Sequence, residues 1–82
     1  MCRNITTLRG LEPPATAAEV DAAALQFVRK VSGVRQPSAA MAERYDEAVQ
    51  AIAEVTAGLL ADLPPRRQPP PTLPPLRRLA AR

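Results

Sequence analysis

Apolar side chains recur between residues 20 and 31 with the spacing of one helical face. Val20, Ala24, Phe27 and Val31 follow one another at intervals of four, three and four residues. This spacing is the period of an amphipathic α-helix, whose apolar stripe packs against the rest of the protein. The pattern predicts a first helix over about residues 17–32.

Both ends of this predicted helix carry sequence signals of their own. Thr16 and Glu19 have the spacing of a capping box, in which each side chain accepts a hydrogen bond from the other residue's backbone amide. Arg29 and Lys30 fall in the last turn, where the helix dipole favours cations. Gly33 can take the left-handed conformation that ends many helices.

A second apolar stripe runs from Met41 to Leu63 and predicts a helix over about residues 39–62. Ser38, just after a proline, is the expected N-cap, and Pro64 stops the helix. The two helices are joined by about five residues, and such a short connection is typical of an antiparallel αα-hairpin.

The predicted core contains few large side chains. Phe27 and Tyr45 are the aromatic residues of the chain, and alanine, valine and leucine supply most of the rest. We therefore expect an all-α fold in which an extended N-terminal segment packs across the hairpin, with dimerisation into a four-helix bundle as a further source of burial. The residues predicted for this core or interaction face are Ile5, Leu8, Val20, Phe27, Val31, Tyr45, Ile52, Val55 and Leu59.

Proline and charge divide the chain at residue 64. Residues 1–63 carry six basic and eight acidic side chains, whereas residues 64–82 carry five arginines, no acid and seven of the ten prolines. The basic character therefore belongs to the C-terminal segment. We expect a helical domain over residues 1–63 and a disordered Pro/Arg-rich tail over residues 64–82 with a short helical end. The tail's arginines are candidates for contact with nucleic acid.

Composition argues against several classes of protein. The chain has no histidine, one cysteine and no recognisable catalytic motif, so we expect no enzyme, no cofactor and no metal site. A single cysteine forms no internal disulfide, and no stretch reaches the roughly 20 apolar residues that a membrane span needs. We expect a cytoplasmic protein with no membrane partner.

Cys2 admits three interpretations. Arg3 beside it can lower a thiol pKa, but covalent catalysis also needs a base. A metal site requires about four ligands and would have to be shared between chains. The third interpretation, a small apolar anchor for the N-terminal segment, is the one we favour.

Basic side chains cluster around the predicted interhelical turn. Arg29, Lys30 and Arg35 can contact phosphate, or can serve only helix-dipole complementarity and solubility. The second interpretation is favoured because Glu43, with other acidic residues, begins the next helix close by.

Four sequence blocks resemble the domain-of-unknown-function family 2277. They are MCRNI at 1–5, PPAT at 13–16, AALQFVRKVSG at 23–33 and PS at 37–38, and the likeness ends near residue 63. The resemblance implies a short cytosolic protein and carries no activity with it. It places Cys2, Arg3 and Asn4 in an opening motif, and Arg29, Lys30 and Ser32 in a second motif of unknown role.

Three functions follow from these observations. The leading one is a protein-interaction or homo-oligomerisation module that works through its apolar face. The alternatives are a nucleic-acid-associated accessory protein that uses the basic tail, and a thiol or metal sensor that acts through Cys2.

Overall fold

The described part of the chain contains three helices. The computed structural model describes residues 5–64 and 73–80, with backbone only for residues 78–80. Helix α1 spans Ala17–Ser32, α2 spans Ala42–Asp62 and α3 spans Pro75–Ala80, and these ranges contain no strand. α1 packs directly against α2. The predicted all-α fold with two packed helices is confirmed.

α1 has the two ends that the sequence predicts. The Thr16 hydroxyl accepts from the Glu19 amide at 3.1 Å, and the Glu19 carboxylate accepts from the Thr16 amide at 2.8 Å. At the other end Gly33 has φ 73°, and its amide donates to the carbonyl of Arg29 at 2.9 Å. A side chain at such a positive φ is disfavoured, which explains glycine here.

α2 begins later than the sequence predicts. Ser38 is not its N-cap: Met41 precedes the first helical residue and offers no capping side chain. Ser38 instead accepts the Met41 amide on its backbone carbonyl at 3.0 Å, so residues 38–41 form a turn. The Ser38 carbonyl thus accepts the Met41 amide, which the side chain of a serine N-cap would otherwise have accepted.

The core lies where the N-terminal segment crosses both helices. Its buried residues are Leu8, Leu11, Val20, Ala24, Val49 and Ala53, with Tyr45 and Ile52 packed partly buried against them. The predicted packing of the N-terminal segment therefore holds for Leu8 and Leu11. Ile5, predicted for the same face, is exposed.

Several residues of the predicted apolar face lie outside this core. Phe27 and Leu59 are exposed, and Val31 and Val55 are 70 % and 74 % exposed. On α1 the apolar stripe is buried at Val20 and Ala24 but exposed at Phe27 and Val31. The four exposed residues are therefore not part of the core of the single chain, and their predicted place on an interaction face stays a prediction.

Part of the C-terminal segment packs against the hairpin. The predicted short helical end is α3, and Arg77 within it contacts the start of α1. Arg9 ties the N-terminal segment to the end of α2, since its Nε and Nη2 donate to the Pro64 carbonyl at 2.9 and 2.7 Å. The disorder predicted for residues 64–82 stays a prediction; residues 65–72 and 81–82 lie outside the described ranges.

Within residues 5–64 and 73–80, no helix has both the length and the apolar character that a bilayer span requires.

Candidate functional site

An ion pair joins the C-terminal segment to the first turn of α1. Arg77 Nε lies 2.6 Å from Glu19 Oε2, and Arg77 Nη2 donates to Glu19 Oε1 at 3.1 Å. The same Nη2 donates to the carbonyls of Pro13 and Pro14 at 2.7 and 3.1 Å. The guanidinium thus has four acceptor atoms around it, which fixes α3 against the entry to α1.

Glu19 serves two structural roles at once. Its Oε1 completes the capping box with the Thr16 amide, and both carboxylate oxygens accept from Arg77. The side chain is 5 % exposed. The Arg77 hydrogen bond, followed by the Thr16 amide, holds the pKa of the Glu19 carboxyl below its usual range, although burial acts in the opposite direction.

A groove of about 700 Å³ opens beside this ion pair. We call it the α1–α3 groove. Its lining includes Leu8 of the N-terminal segment and Ala22, Ala23 and Leu25 of α1, which we call its floor, and residues 74–76, which we call its wall. Glu19 also lines the groove. The volume is in the range of small-molecule sites, which are concave and mostly apolar with a few polar groups.

Three basic side chains line one part of the groove. Arg29, Lys30 and Arg35 all lie on its lining. Arg29 Nε donates to the Arg35 carbonyl at 3.3 Å, which links the last turn of α1 to the connection before α2. The acidic residues at the start of α2, which the sequence suggested would offset this charge, are not part of the lining.

Thr6 contributes a buried polar atom to the same groove. Its Oγ1 is inaccessible to solvent and has no hydrogen-bond partner within the described chain. Thr6 is a lining residue, as is Gln26 of α1. Since buried hydroxyl groups are nearly always paired in folded proteins, this atom marks a place where a partner group is needed.

Ser32, the remaining residue of the second sequence motif, and Tyr45 of α2 both form hydrogen bonds at the start of the interhelical connection. Ser32 Oγ donates to the Val28 carbonyl at 2.7 Å and accepts from the Val34 amide at 3.1 Å. The Tyr45 hydroxyl donates to the Val34 carbonyl at 2.7 Å. These contacts give Ser32 and Tyr45 structural roles at the end of α1.

Cys2, Arg3 and Asn4 lie outside the described residues, so their predicted roles stay predictions. Across the ranges that the structure does describe, no group of three histidine, cysteine or acidic side chains is arranged to hold a metal ion.

Exposed apolar side chains form the second feature with functional potential. Phe27 and Val31 lie one turn apart on α1, and Val55 and Leu59 lie one turn apart on α2. We call these four residues the exposed apolar set. None of them lines the α1–α3 groove.

Sequence reasoning found the cations of the groove but missed the other elements of the site. Thr6 lies in none of the four sequence blocks, and Gln26 lies in the third block but has no predicted role. Arg77 lies 58 residues from its partner Glu19. The capping box already gives Glu19 a local role, so its sequence position does not point to a second partner. A signal was present in the tail, where Arg77 is one of the basic residues of the predicted helical end.

The chain belongs to the DUF2277 family, described as an uncharacterized conserved protein. The family model matches residues 1–82. The resemblance was expected to end near residue 63, and this expectation is wrong, because the proline-rich segment lies within the matched length. No curated protein and no solved structure matches the chain.

Proposed function

We propose that this DUF2277 protein is a non-catalytic protein-association module that pairs with a second copy of itself. The observation that carries the proposal is the exposed apolar set. Val31 and Val55 are more than two-thirds exposed in the single chain, and Phe27 and Leu59 are also exposed. Burying these side chains on both copies is favourable by about 25 cal/mol per Å² of apolar surface.

The small core of the single chain supports this proposal. The core holds six buried apolar residues, of which two are alanines, and no large side chain of the described chain is fully buried. Two hairpins that packed their exposed apolar sets together would form a four-helix arrangement with a larger core. A two-fold pairing presents the same surface from both copies, so one set of residues suffices.

The experiment that tests pairing is sedimentation velocity on the full-length protein. We expect a dimer at micromolar concentrations, and we expect Val31→Asp and Val55→Asp to shift it to monomer. Both side chains are exposed, so the helical content measured by circular dichroism should stay unchanged. Ala57→Asp, an exposed α2 position outside the exposed apolar set, is the matched control and should remain dimeric.

A folded monomer across this concentration range would contradict the proposal. So would a dimer that Val31→Asp and Val55→Asp leave intact, because its interface would then lie elsewhere.

Nucleic-acid association through the basic tail remains a separate proposal with its own test. Arg77 is engaged by Glu19 and by two backbone carbonyls, so this arginine is not available to phosphate while α3 is docked. Binding by the other arginines would show a steep dependence on salt and would be lost on deletion after residue 63.

A sensor role for Cys2 requires a reactive thiol or a bound metal, which thiol titration and metal analysis would detect.

A further inference from the structure

We infer that the α1–α3 groove binds a small amphiphilic anion, a molecule with one negatively charged head group on an apolar body. This goes beyond self-association, and the groove shares no residue with the exposed apolar set. Three observations carry the inference: the apolar floor, the basic lining and the unpartnered hydroxyl of Thr6.

The floor selects for an apolar body. Leu8, Ala22, Ala23 and Leu25 present methyl and methylene groups, and Pro75 and Leu76 add further apolar groups to the lining. Transfer of an alkyl chain from water to such a surface is favourable by about 0.8 kcal/mol for each buried methylene group. An inorganic anion would make no use of this surface.

The basic lining selects for a negative head group. Arg29 and Arg35 bring two guanidinium groups, and Glu19 brings the one negative charge of the lining. That negative charge is already matched by the bidentate contact with Arg77. The groove therefore complements a carboxylate or a phosphate monoester, both of which accept hydrogen bonds from guanidinium and ammonium groups.

Thr6 supplies a neutral polar group to the lining of the groove. Its Oγ1 is buried and without a partner, although a hydroxyl can donate one hydrogen bond and accept others. Rotation of the Thr6 side chain about χ1 would turn this hydroxyl toward a ligand oxygen in the groove, which would satisfy it. The hydroxyl then contributes orientation as well as affinity.

The test uses octyl phosphate and octanoate, below their micelle-forming concentrations, against the full-length protein. Octanol, octyltrimethylammonium and inorganic phosphate are the comparison ligands, since each lacks either the negative head or the apolar body. We expect measurable binding by isothermal titration calorimetry for the two anionic amphiphiles and at least about tenfold weaker binding for the other three. The two amphiphiles distinguish a phosphate head from a carboxylate head.

Variants locate the site. Ala22→Phe fills the groove from an exposed position and should abolish binding, while Ala57→Phe on the exposed surface of α2 should leave it unchanged. Arg35→Glu should weaken octyl phosphate binding by about tenfold, and Arg44→Glu, outside the groove, should not. Each variant is checked for helical content, so a loss of fold is not mistaken for a loss of the site.

Thr6→Val separates a ligand contact from a structural role. The replacement has nearly the same shape and removes the unpartnered hydroxyl, so stability should be unchanged or higher. Affinity for octyl phosphate should nevertheless fall by about threefold. Equal affinity for octanol, no binding of either anion, or unaltered binding in Ala22→Phe would overturn the inference. Sedimentation velocity reports on pairing separately, so failure of one proposal is distinguishable from failure of the other.

Discussion

The guanidinium of Arg77 lies 2.6 Å from the carboxylate of Glu19, which precedes it by 58 residues. Glu19 also caps the first turn of α1, so one buried carboxylate connects the start of the first helix to the C-terminal segment. Residues 74–76, which immediately precede Arg77, form a wall of the α1–α3 groove. The ion pair therefore positions that wall as well as α3.

Replacing Arg77 should release α3. We expect Arg77→Met to lower the free energy of unfolding by about 2 kcal/mol, because hydrogen bonds to a buried carboxylate are lost. Urea denaturation measures this change, and hydrogen exchange should show faster exchange in residues 73–80. Arg44→Met is the control: Arg44 contacts Glu47 at 3.7 Å on the exposed surface, and such a pair contributes at most about 1 kcal/mol. Equal losses in the two variants would contradict the assigned role of Arg77.

Acidification should weaken the same contact. The pKa of Glu19 is lowered in the folded state, chiefly by the hydrogen bond from Arg77, so on acidification the unfolded state binds more protons than the folded state. Stability from this group is therefore fully present at neutral pH and is lost as the pH falls through the folded-state pKa. Thermal unfolding between pH 6 and pH 2 should show a flatter profile for Glu19→Gln and for Arg77→Met. A parent-like acid slope in both variants would show that Glu19 does not govern it.

Two glycines should respond to alanine in opposite directions. Gly33 has φ 73°, so Gly33→Ala forces a left-handed backbone on a residue with a side chain and should cost about 1 kcal/mol. Gly58 lies within α2, and a Cβ there meets no atom within 4 Å. Gly58→Ala should therefore stabilise the protein by about 1 kcal/mol. Thermal unfolding of the two variants measures the two changes in stability. If both variants were stabilised or both destabilised, the role given to at least one of the glycines would be wrong.

The Tyr45 hydroxyl should hold the connection between the helices. Tyr45→Phe keeps the ring and removes the 2.7 Å hydrogen bond to the Val34 carbonyl. We expect a loss of about 1 kcal/mol, the usual net contribution of such a bond. Chemical denaturation measures it, and hydrogen exchange in residues 33–41 should rise more than in the middle of α2. If hydrogen exchange in residues 33–41 stayed unchanged, the Tyr45 hydroxyl would not be what orders the connection.

The sequence predicts α1 well because its signals are local. Thr16, Glu19 and Gly33 determine the ends through contacts within four residues, and each contact is present in the structure. The start of α2 is less certain from sequence, since a serine can cap a helix with its side chain or enter a turn through its carbonyl. At Ser38 the turn forms.

Long-range contacts could not be predicted in the same way. The periodicity of α1 puts Phe27 in one stripe with Val20 and Ala24, but it does not show that Phe27 stays exposed while the other two are buried. The partner of Arg77 was hidden because Glu19 already had a local role. A carboxylate has two oxygens with several lone pairs, and this capacity allows one residue to serve both contacts.

The position of Arg77 after both long helices also orders events during translation. Both long helices and the N-terminal segment leave the ribosome before α3 does. Until then the Glu19 carboxylate has its capping contact with Thr16 but lacks its cationic partner. We therefore expect the hairpin to assemble first, and residues 74–76 to join the groove only after α3 has been synthesised.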